Sequence, residues 1–120
     1  MKENLAFYKI FAFAIRIVKM YQFLTTIKKE FVMSRQLLKS GTAVGAMIRE
    51  AEHSESKADF IHKMSIAQKE INESIYWLEL LSETEIIAKK EFDSINEDAI
   101  VIIKLITAII KSTKQNLNNN

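Results

Sequence analysis

Residues 57–82 read KADFIHKMSIAQKEINESIYWLELLS. Apolar residues recur in this stretch at intervals of three and four, which is the period of one face of an α-helix. They are Phe60, Ile61, Met64, Ala67, Ile71, Ile75, Leu78 and Leu81. At its start, Ser56 and Asp59 have the spacing of a capping box, in which a hydroxyl binds the free amides of a first turn. The pattern predicts an amphipathic helix from Lys57 to Ser82.

Two more helices are predicted before this one. The first runs from about Leu5 to Leu24 and is apolar over most of its circumference. The second runs from about Lys28 to His53, with Thr25 and Thr26 as candidate caps and with Phe31 among its apolar positions. The chain has no proline and two glycines, a composition that suits a few long helices.

A fourth helix is predicted after a linker that runs from Glu83 to Asp93. Ser94 and Glu97 form a second capping-box pattern, and residues 99–110 are apolar apart from Lys104 and Thr107. Many of these residues are β-branched, which favours a strand. Without glycine, proline or a partner strand, the helix is the better interpretation. The segment from Ser112 onward is polar, and residues 116–120 are predicted to be a disordered tail.

The two glycines, Gly41 and Gly45, lie four residues apart inside the second predicted helix. They remove side chains from one strip of the helix surface, which allows a close approach of another helix or a bend. A phosphate-binding loop is the alternative. It is disfavoured because no strand precedes the glycines and no Gly-Lys-Ser/Thr sequence follows them.

Four helices with short connections predict an all-α fold, an up-down-up-down antiparallel four-helix bundle in a single domain of residues 1–115. The first and fourth helices carry more apolar surface than one small bundle can bury, which indicates self-association. A membrane span in the first helix is disfavoured because Lys9, Arg16 and Lys19 would each be costly in the bilayer. No signal peptide is recognisable, so a cytoplasmic protein is expected.

Charge is distributed unevenly along the chain. Residues 1–49 contain nine Lys and Arg but two Glu, whereas residues 50–100 contain five Lys and thirteen Asp and Glu. A basic face on the first two helices would suit a polyanion such as RNA or DNA, although internal pairing with the acidic helices is the simpler explanation. The candidate nucleic-acid-binding residues are Lys9, Arg16, Lys19, Lys28, Lys29, Arg35, Lys39 and Arg49.

The residues that could carry chemistry do not converge. Cysteine is absent, so there is no thiolate nucleophile or thiolate metal site. The pairs Glu50/His53 and Asp59/His62 have the spacing of di-metal ligands in helical bundles, but they fall at a helix junction with no matching carboxylates on the other helices. Tyr76-Trp77 could stack on bases, yet core packing is the simpler assignment. We therefore expect no enzyme activity, metal, cofactor or small-molecule substrate.

Three segments of the sequence are distinctive when taken together. They are Ser40-Gly41-Thr42-Ala43-Val44-Gly45-Ala46, Asp59-Phe60-Ile61-His62-Lys63-Met64 and Tyr76-Trp77-Leu78-Glu79-Leu80-Leu81. They resemble the family of four-helix-bundle proteins encoded in intervening sequences of bacterial 23S ribosomal RNA genes. The accessory protein of diversity-generating retroelements looks like a relative of that family. The resemblance is strongest from about Gln36 to Leu81, and it implies a homopentameric ring with no known catalytic activity.

From the residues and the resemblance together, we expect a non-enzymatic homo-oligomer, a pentamer by the resemblance, that binds RNA or DNA through a basic face. The alternative is a protein-interaction scaffold without a nucleic-acid role, in which the uneven charge serves subunit packing.

Overall fold

Four α-helices account for most of residues 2–118, the part of the chain that the computed structural model describes; side chains are described for residues 5–117. The helices are α1 (Lys2–Thr26), α2 (Met33–Ala51), α3 (Lys57–Glu83) and α4 (Lys89–Asn118). The loops 27–32, 52–56 and 84–88 connect them. The all-α fold predicted from the helical periodicity is confirmed.

The four helices form an elongated bundle that measures 53 × 22 × 21 Å. Each helix contacts two others: α1 contacts α2 and α4, and α3 contacts α2 and α4, while the described parts of α1 and α3 do not meet. This is the square arrangement of an up-down-up-down bundle, with α1 diagonally opposite α3. The face formed by α1 and α2 therefore lies on the other side of the molecule from the face formed by α3 and α4.

The core is built from one face of every helix. On α3 it contains Met64, Ala67, Ile71, Leu78 and Leu81, which are the positions that the three- and four-residue spacing predicts. A pair of buried hydroxyls joins α2 to α3, where Ser40 Oγ lies 2.9 Å from Ser74 Oγ. Ser74 Oγ also donates to the carbonyl oxygen of Glu70, so this polar pair is satisfied inside the core.

The start of α3 agrees with the predicted cap. Ser56 is the N-cap residue, and its Oγ accepts a hydrogen bond from the Asp59 amide at 3.0 Å. The Asp59 carboxylate binds the amide of Glu55, one residue before the cap, and also pairs with Lys63.

The start of α2 differs from the prediction, because α2 begins at Met33 and not at Lys28. Lys29 adopts a left-handed conformation with φ of 56°, which an α-helix does not allow. Thr25 and Thr26 are not caps of α2, since both lie in α1 and Thr25 Oγ1 donates to the Tyr21 carbonyl. Phe31 consequently falls in the loop, where it is exposed and not in the core.

The predicted start of α4 at Ser94 is also wrong, because α4 begins at Lys89. Ser94 lies inside the helix, and its hydroxyl accepts a hydrogen bond from Arg16 of α1 at 3.1 Å. The Ser94 hydroxyl, which the sequence pattern assigns to a helix cap, instead takes part in a contact between α1 and α4. At its other end α4 continues to Asn118, within the segment predicted as a tail, while residues 119 and 120 lie outside the described residues.

Candidate functional site

An apolar stripe runs along the outside of α1. Phe13, Ile17 and the other core residues of α1 are buried on the face that points into the bundle. On the opposite face, side chains at intervals of three and four are exposed, the most exposed being Tyr8 at 79% and Phe11 at 57%. We call this exposed set the α1 stripe. It consists of Tyr8, Phe11, Ile15 and Val18.

A shallow groove between α1 and α2 borders the α1 stripe. Its volume is about 260 Å³, and Gly45 leaves it open because that residue has no side chain. The Phe7 ring stacks on Phe11 with 6.4 Å between ring centroids, and the Arg49 guanidinium lies 4.9 Å from the Phe7 centroid. Arg49 is therefore placed by a cation–π contact at the edge of an apolar surface.

The eight basic residues predicted as a nucleic-acid site do not form one face. Arg16 turns towards α4, where its guanidinium lies 2.8 Å from Asp98 Oδ2 and 3.6 Å from Glu91 Oε1. Its charge is paired with these carboxylates at the surface seam between α1 and α4, as the internal-pairing interpretation expects. Lys9 lies in the same seam between α1 and α4, beside Asp98.

The α1 stripe separates the remaining candidates. Lys19 lines a cavity of about 510 Å³ on the α4 side of α1, together with Arg16 and Glu91. Arg49 lies on the α2 side, at the groove described above. Helical geometry places the exposed stripe residues between these two flanks, so Lys9 and Lys19 do not share a surface with Arg49.

The other four candidates are close together in the chain and form no ion pairs within residues 5–117. Lys28 and Lys29 lie in the loop 27–32, and Arg35 and Lys39 lie one turn apart on the first half of α2. All four are exposed, and none of them forms an ion pair with any residue between 5 and 117. We call Lys28, Lys29, Arg35 and Lys39 the basic cluster.

Apolar residues are interleaved with the basic cluster. Ile27, Phe31 and Val32 are exposed in the same loop, with Val32 at 74%. The Lys28 ammonium lies 5.9 Å from the centroid of the Phe23 ring. Alternation of cations with exposed rings is typical of surfaces that bind nucleic acid strands. The spacing of Phe31 fits the helical pattern of α2, so the sequence gives no sign that its ring is exposed in the loop.

The one carboxylate within the basic cluster is already engaged. Glu30 caps α2 from three residues before its first residue, Met33. Its Oε2 accepts hydrogen bonds from the amides of Val32 and Met33, and its Oε1 accepts one from the amide of Ser34 at 2.7 Å. Burial raises the pKa of Glu30, but these amide hydrogen bonds together outweigh it and hold that pKa below the ordinary value of 4.5. Glu30 therefore stays charged and bound to the helix end.

We expect Glu30→Gln to lower the free energy of unfolding at pH 7 by about 1 kcal/mol, the usual size of an N-terminal cap. Because the folded-state pKa is depressed, the carboxylate contributes its stability above pH 4.5 and loses it as the pH falls through the folded-state pKa. Urea unfolding of both proteins should show a difference at pH 7 that shrinks by pH 3. A difference that does not change with pH would contradict this role, and Glu50→Gln, at an exposed position, is the control.

The other sequence candidates can be placed as well. Within residues 5–117, no three His, Asp or Glu side chains lie close enough together to hold a metal ion. Trp77 is half-buried, and its indole N–H donates to Glu73 at 3.2 Å. Tyr76 is exposed and not in the core, and it meets the Trp77 ring edge-on, with 5.0 Å between the ring centroids.

Among the helices of residues 2–118, none has both the length and the hydropathy needed to cross a membrane.

Comparisons with known proteins agree on one family. The family model of 23S rRNA-intervening sequence proteins matches residues 2–108. Among solved structures, the chain is similar to a protein of unknown function from the S23 ribosomal protein family of Bacteroides thetaiotaomicron VPI-5482. The two are 55% identical and superpose with a TM-score of 0.91, and the match covers 92% of this chain and 99% of the other. No curated protein matches the chain significantly.

Proposed function

The chain belongs to the family of 23S rRNA-intervening sequence proteins, and on that premise we propose that it is a homo-oligomeric, non-catalytic bundle that binds the phosphate backbone of RNA or DNA. The binding surface in this proposal is the basic cluster of loop 27–32 and α2. The oligomer is a ring of five copies, the number that the resemblance to this family implies.

The observation that carries the proposal is the unpaired charge of the basic cluster. Four cations are exposed on about the first two turns of α2 and on the loop before it, with no ion-pair partner among residues 5–117. Between positions 28 and 39 the one carboxylate is Glu30, and it is held by backbone amides. Phosphates are the natural partners of such a group, because binding releases the counterions that surround a nucleic acid.

Self-association is supported by the α1 stripe. Apolar side chains that extend over three turns of a helix and stay in contact with water are unfavourable, and they usually mark an interface. Stripe residues recur at positions 8, 11, 15 and 18, which is the spacing of a helix that packs lengthwise against a partner. In a ring the basic cluster would be repeated once per copy, and several weak sites on one assembly would bind a long polyanion with high avidity.

We expect the oligomer to bind structured RNA or duplex DNA in a mobility-shift assay at low salt, and the affinity to fall steeply as salt rises. Changing all four cluster residues to Gln should weaken binding at least tenfold and should flatten the dependence on salt, because the phosphate contacts are lost. Light scattering should show that this variant keeps the mass of the parent protein.

The matched control changes the same number of cations elsewhere. Lys69, Lys104, Lys111 and Lys114 are all exposed and lie on α3 and α4. Replacing all four by Gln gives a variant with the same net charge as the cluster variant. Its affinity should differ from that of the parent by no more than about threefold, a smaller change than the loss of one or two phosphate contacts would cause. Equal losses in the two variants would show that binding follows net charge and not the cluster. If the assembled parent does not bind at low salt, the protein-interaction scaffold replaces this proposal.

Self-association has its own test. We expect the parent protein to sediment as an assembly several times heavier than the 13.9 kDa chain, and Ile15→Glu to sediment as a single chain. Burying a carboxylate in the centre of an interface without water makes the free energy of association less favourable by several kcal/mol, which is enough to separate the copies. Asn116→Glu, at an exposed position near the end of α4, should leave the assembly intact. A parent protein that is a single chain at micromolar concentration would contradict the proposed oligomer.

A further inference from the structure

A groove between α3 and α4 is lined by a mixture of apolar and polar side chains. It has a volume of about 320 Å³ and lies on the side of the bundle away from α1 and α2. Its wall includes the apolar residues Ile75, Phe92 and Ile100 and the polar residues Glu79, Glu83 and Asn96. Lys89 also lines it, but its ammonium pairs with Asp93 at 3.1 Å.

The groove holds two carboxylates without ion pairs and one buried oxygen without a hydrogen bond among residues 5–117. Glu79 and Glu83 are exposed and form no ion pair within residues 5–117. The side-chain oxygen of Asn96 is buried and has no hydrogen-bond donor in the described chain. Beside them, Ile100 is 41% exposed. The exposed carboxylates and Ile100 fit a partner that brings a cation next to apolar side chains.

The α1 stripe has that composition. Lys19 is exposed next to Val18, at one end of the stripe, and has no ion-pair partner among residues 5–117. The stripe supplies Ile15 and Val18 as apolar contacts. The stripe and the α3–α4 groove lie on different sides of the bundle, so one copy cannot use both for the same contact. A closed ring requires this, because each copy offers one surface to the copy before it and a different surface to the copy after it.

The two surfaces also lie at the same height along the bundle. Arg16 of α1 contacts Ser94 and Asp98 of α4, which fixes the relative height of the two helices. Because α1 and α4 run antiparallel, Ile15, Val18 and Lys19 are level with the part of α4 that holds Phe92 and Asn96. When bundles stand side by side in a ring, residues at one height on neighbouring copies meet.

We infer that the α1 stripe of one copy packs against the α3–α4 groove of the next copy, with Lys19 beside Glu79 and Glu83. This inference rests on the proposed self-association and identifies the surface that covers the stripe. It leaves the basic cluster outside the contact and free to bind phosphates.

The test uses two variants, each of which disables one half of the contact. Ile15→Glu disables the stripe, and the double variant Glu79→Lys with Ile100→Lys disables the groove. Each alone should sediment as a single 13.9 kDa chain. Mixed in equal amounts they should form a complex of two chains and nothing larger, because an intact stripe on one variant meets an intact groove on the other. Circular dichroism should show the helix content of the parent in both.

The outcomes separate this inference from the proposed function. If the parent protein is itself a single chain, the proposed self-association fails and the inference fails with it. If the parent is an oligomer and the groove variant remains one, the self-association stands and the inference is overturned. If both variants dissociate but the mixture stays as single chains, the stripe and the groove do not pack against each other, and the inference is again overturned. Should the double variant be misfolded, Glu79→Lys with Glu83→Lys replaces it and keeps Ile100.

Discussion

Phe13→Ala is expected to lower the free energy of unfolding by about 3–5 kcal/mol, whereas Phe11→Ala is expected to leave it within about 0.5 kcal/mol of the parent. The two phenylalanines lie two residues apart on α1, but Phe13 is 1% exposed in the core and Phe11 is 57% exposed on the α1 stripe. Truncation of Phe13 removes buried surface and leaves a cavity. Truncation of Phe11 removes a ring that the isolated bundle does not bury.

Urea unfolding at several protein concentrations checks this prediction. Below the concentration at which the chain associates, the two variants should differ by about the full 3–5 kcal/mol. Above it, Phe11→Ala should also lose stability, because the ring is then buried between copies and stability depends on concentration. Equal effects in dilute solution would mean that α1 does not bury the face described here.

Gly41→Ala is expected to lower the free energy of unfolding by about 1–2 kcal/mol, although alanine is the better helix former. A Cβ at Gly41 would lie 2.7 Å from both Cγ1 and Cγ2 of Ile17. Both carbons are attached to the same Cβ, and Ile17 is fully buried, so no rotation of that side chain relieves the overlap. The α1 helix must move, and the cost exceeds the gain in helix propensity of about 1 kcal/mol.

Gly45→Ala is the matched control and should have the opposite sign. A Cβ there would lie 3.5 Å from Ile10 Cγ2, an ordinary contact. The substitution should therefore raise stability by up to about 1 kcal/mol through helix propensity alone. In the background of Ile17→Ala the overlap at Gly41 is absent, and Gly41→Ala should become stabilising too. A destabilisation that persists in that background would show that the contact with Ile17 is not its cause.

Much of the fold could be read from local patterns. The helical period of residues 57–82 and the Ser56 cap predict α3 almost to the residue, since an amphipathic face and a free first turn are properties of neighbouring residues. The interpretation of the glycines as a place of close helix approach is confirmed at Gly41, where the Ile17 side chain occupies the space that a Cβ would need. Helix starts that depend on distant residues were predicted less well, as Ser94 and its contact with Arg16 show.

The candidate site was harder to predict, because the state of a charge depends on what folds next to it. Arg16 and Lys28 are equivalent in the sequence, as cations near apolar residues. The fold brings Asp98 within 2.8 Å of Arg16, across 82 residues of chain, and leaves Lys28 without an ion-pair partner among residues 5–117. Four of the eight predicted cations lie together in the basic cluster, and the other four are divided between the two flanks of α1.

The sequence by itself determined that this chain is a helical bundle with more apolar surface than its own core requires, since helix period, caps and composition are local properties. Only the tertiary structure decided which face of α1 is buried and which cations remain free. The physical reason is that α1 is apolar on nearly every side, so its period selects no inner face. Packing against α2 and α4 determines which face of α1 is buried, and it leaves the stripe residues Tyr8, Phe11, Ile15 and Val18 exposed to water. The same packing leaves the basic cluster without ion pairs within the described chain.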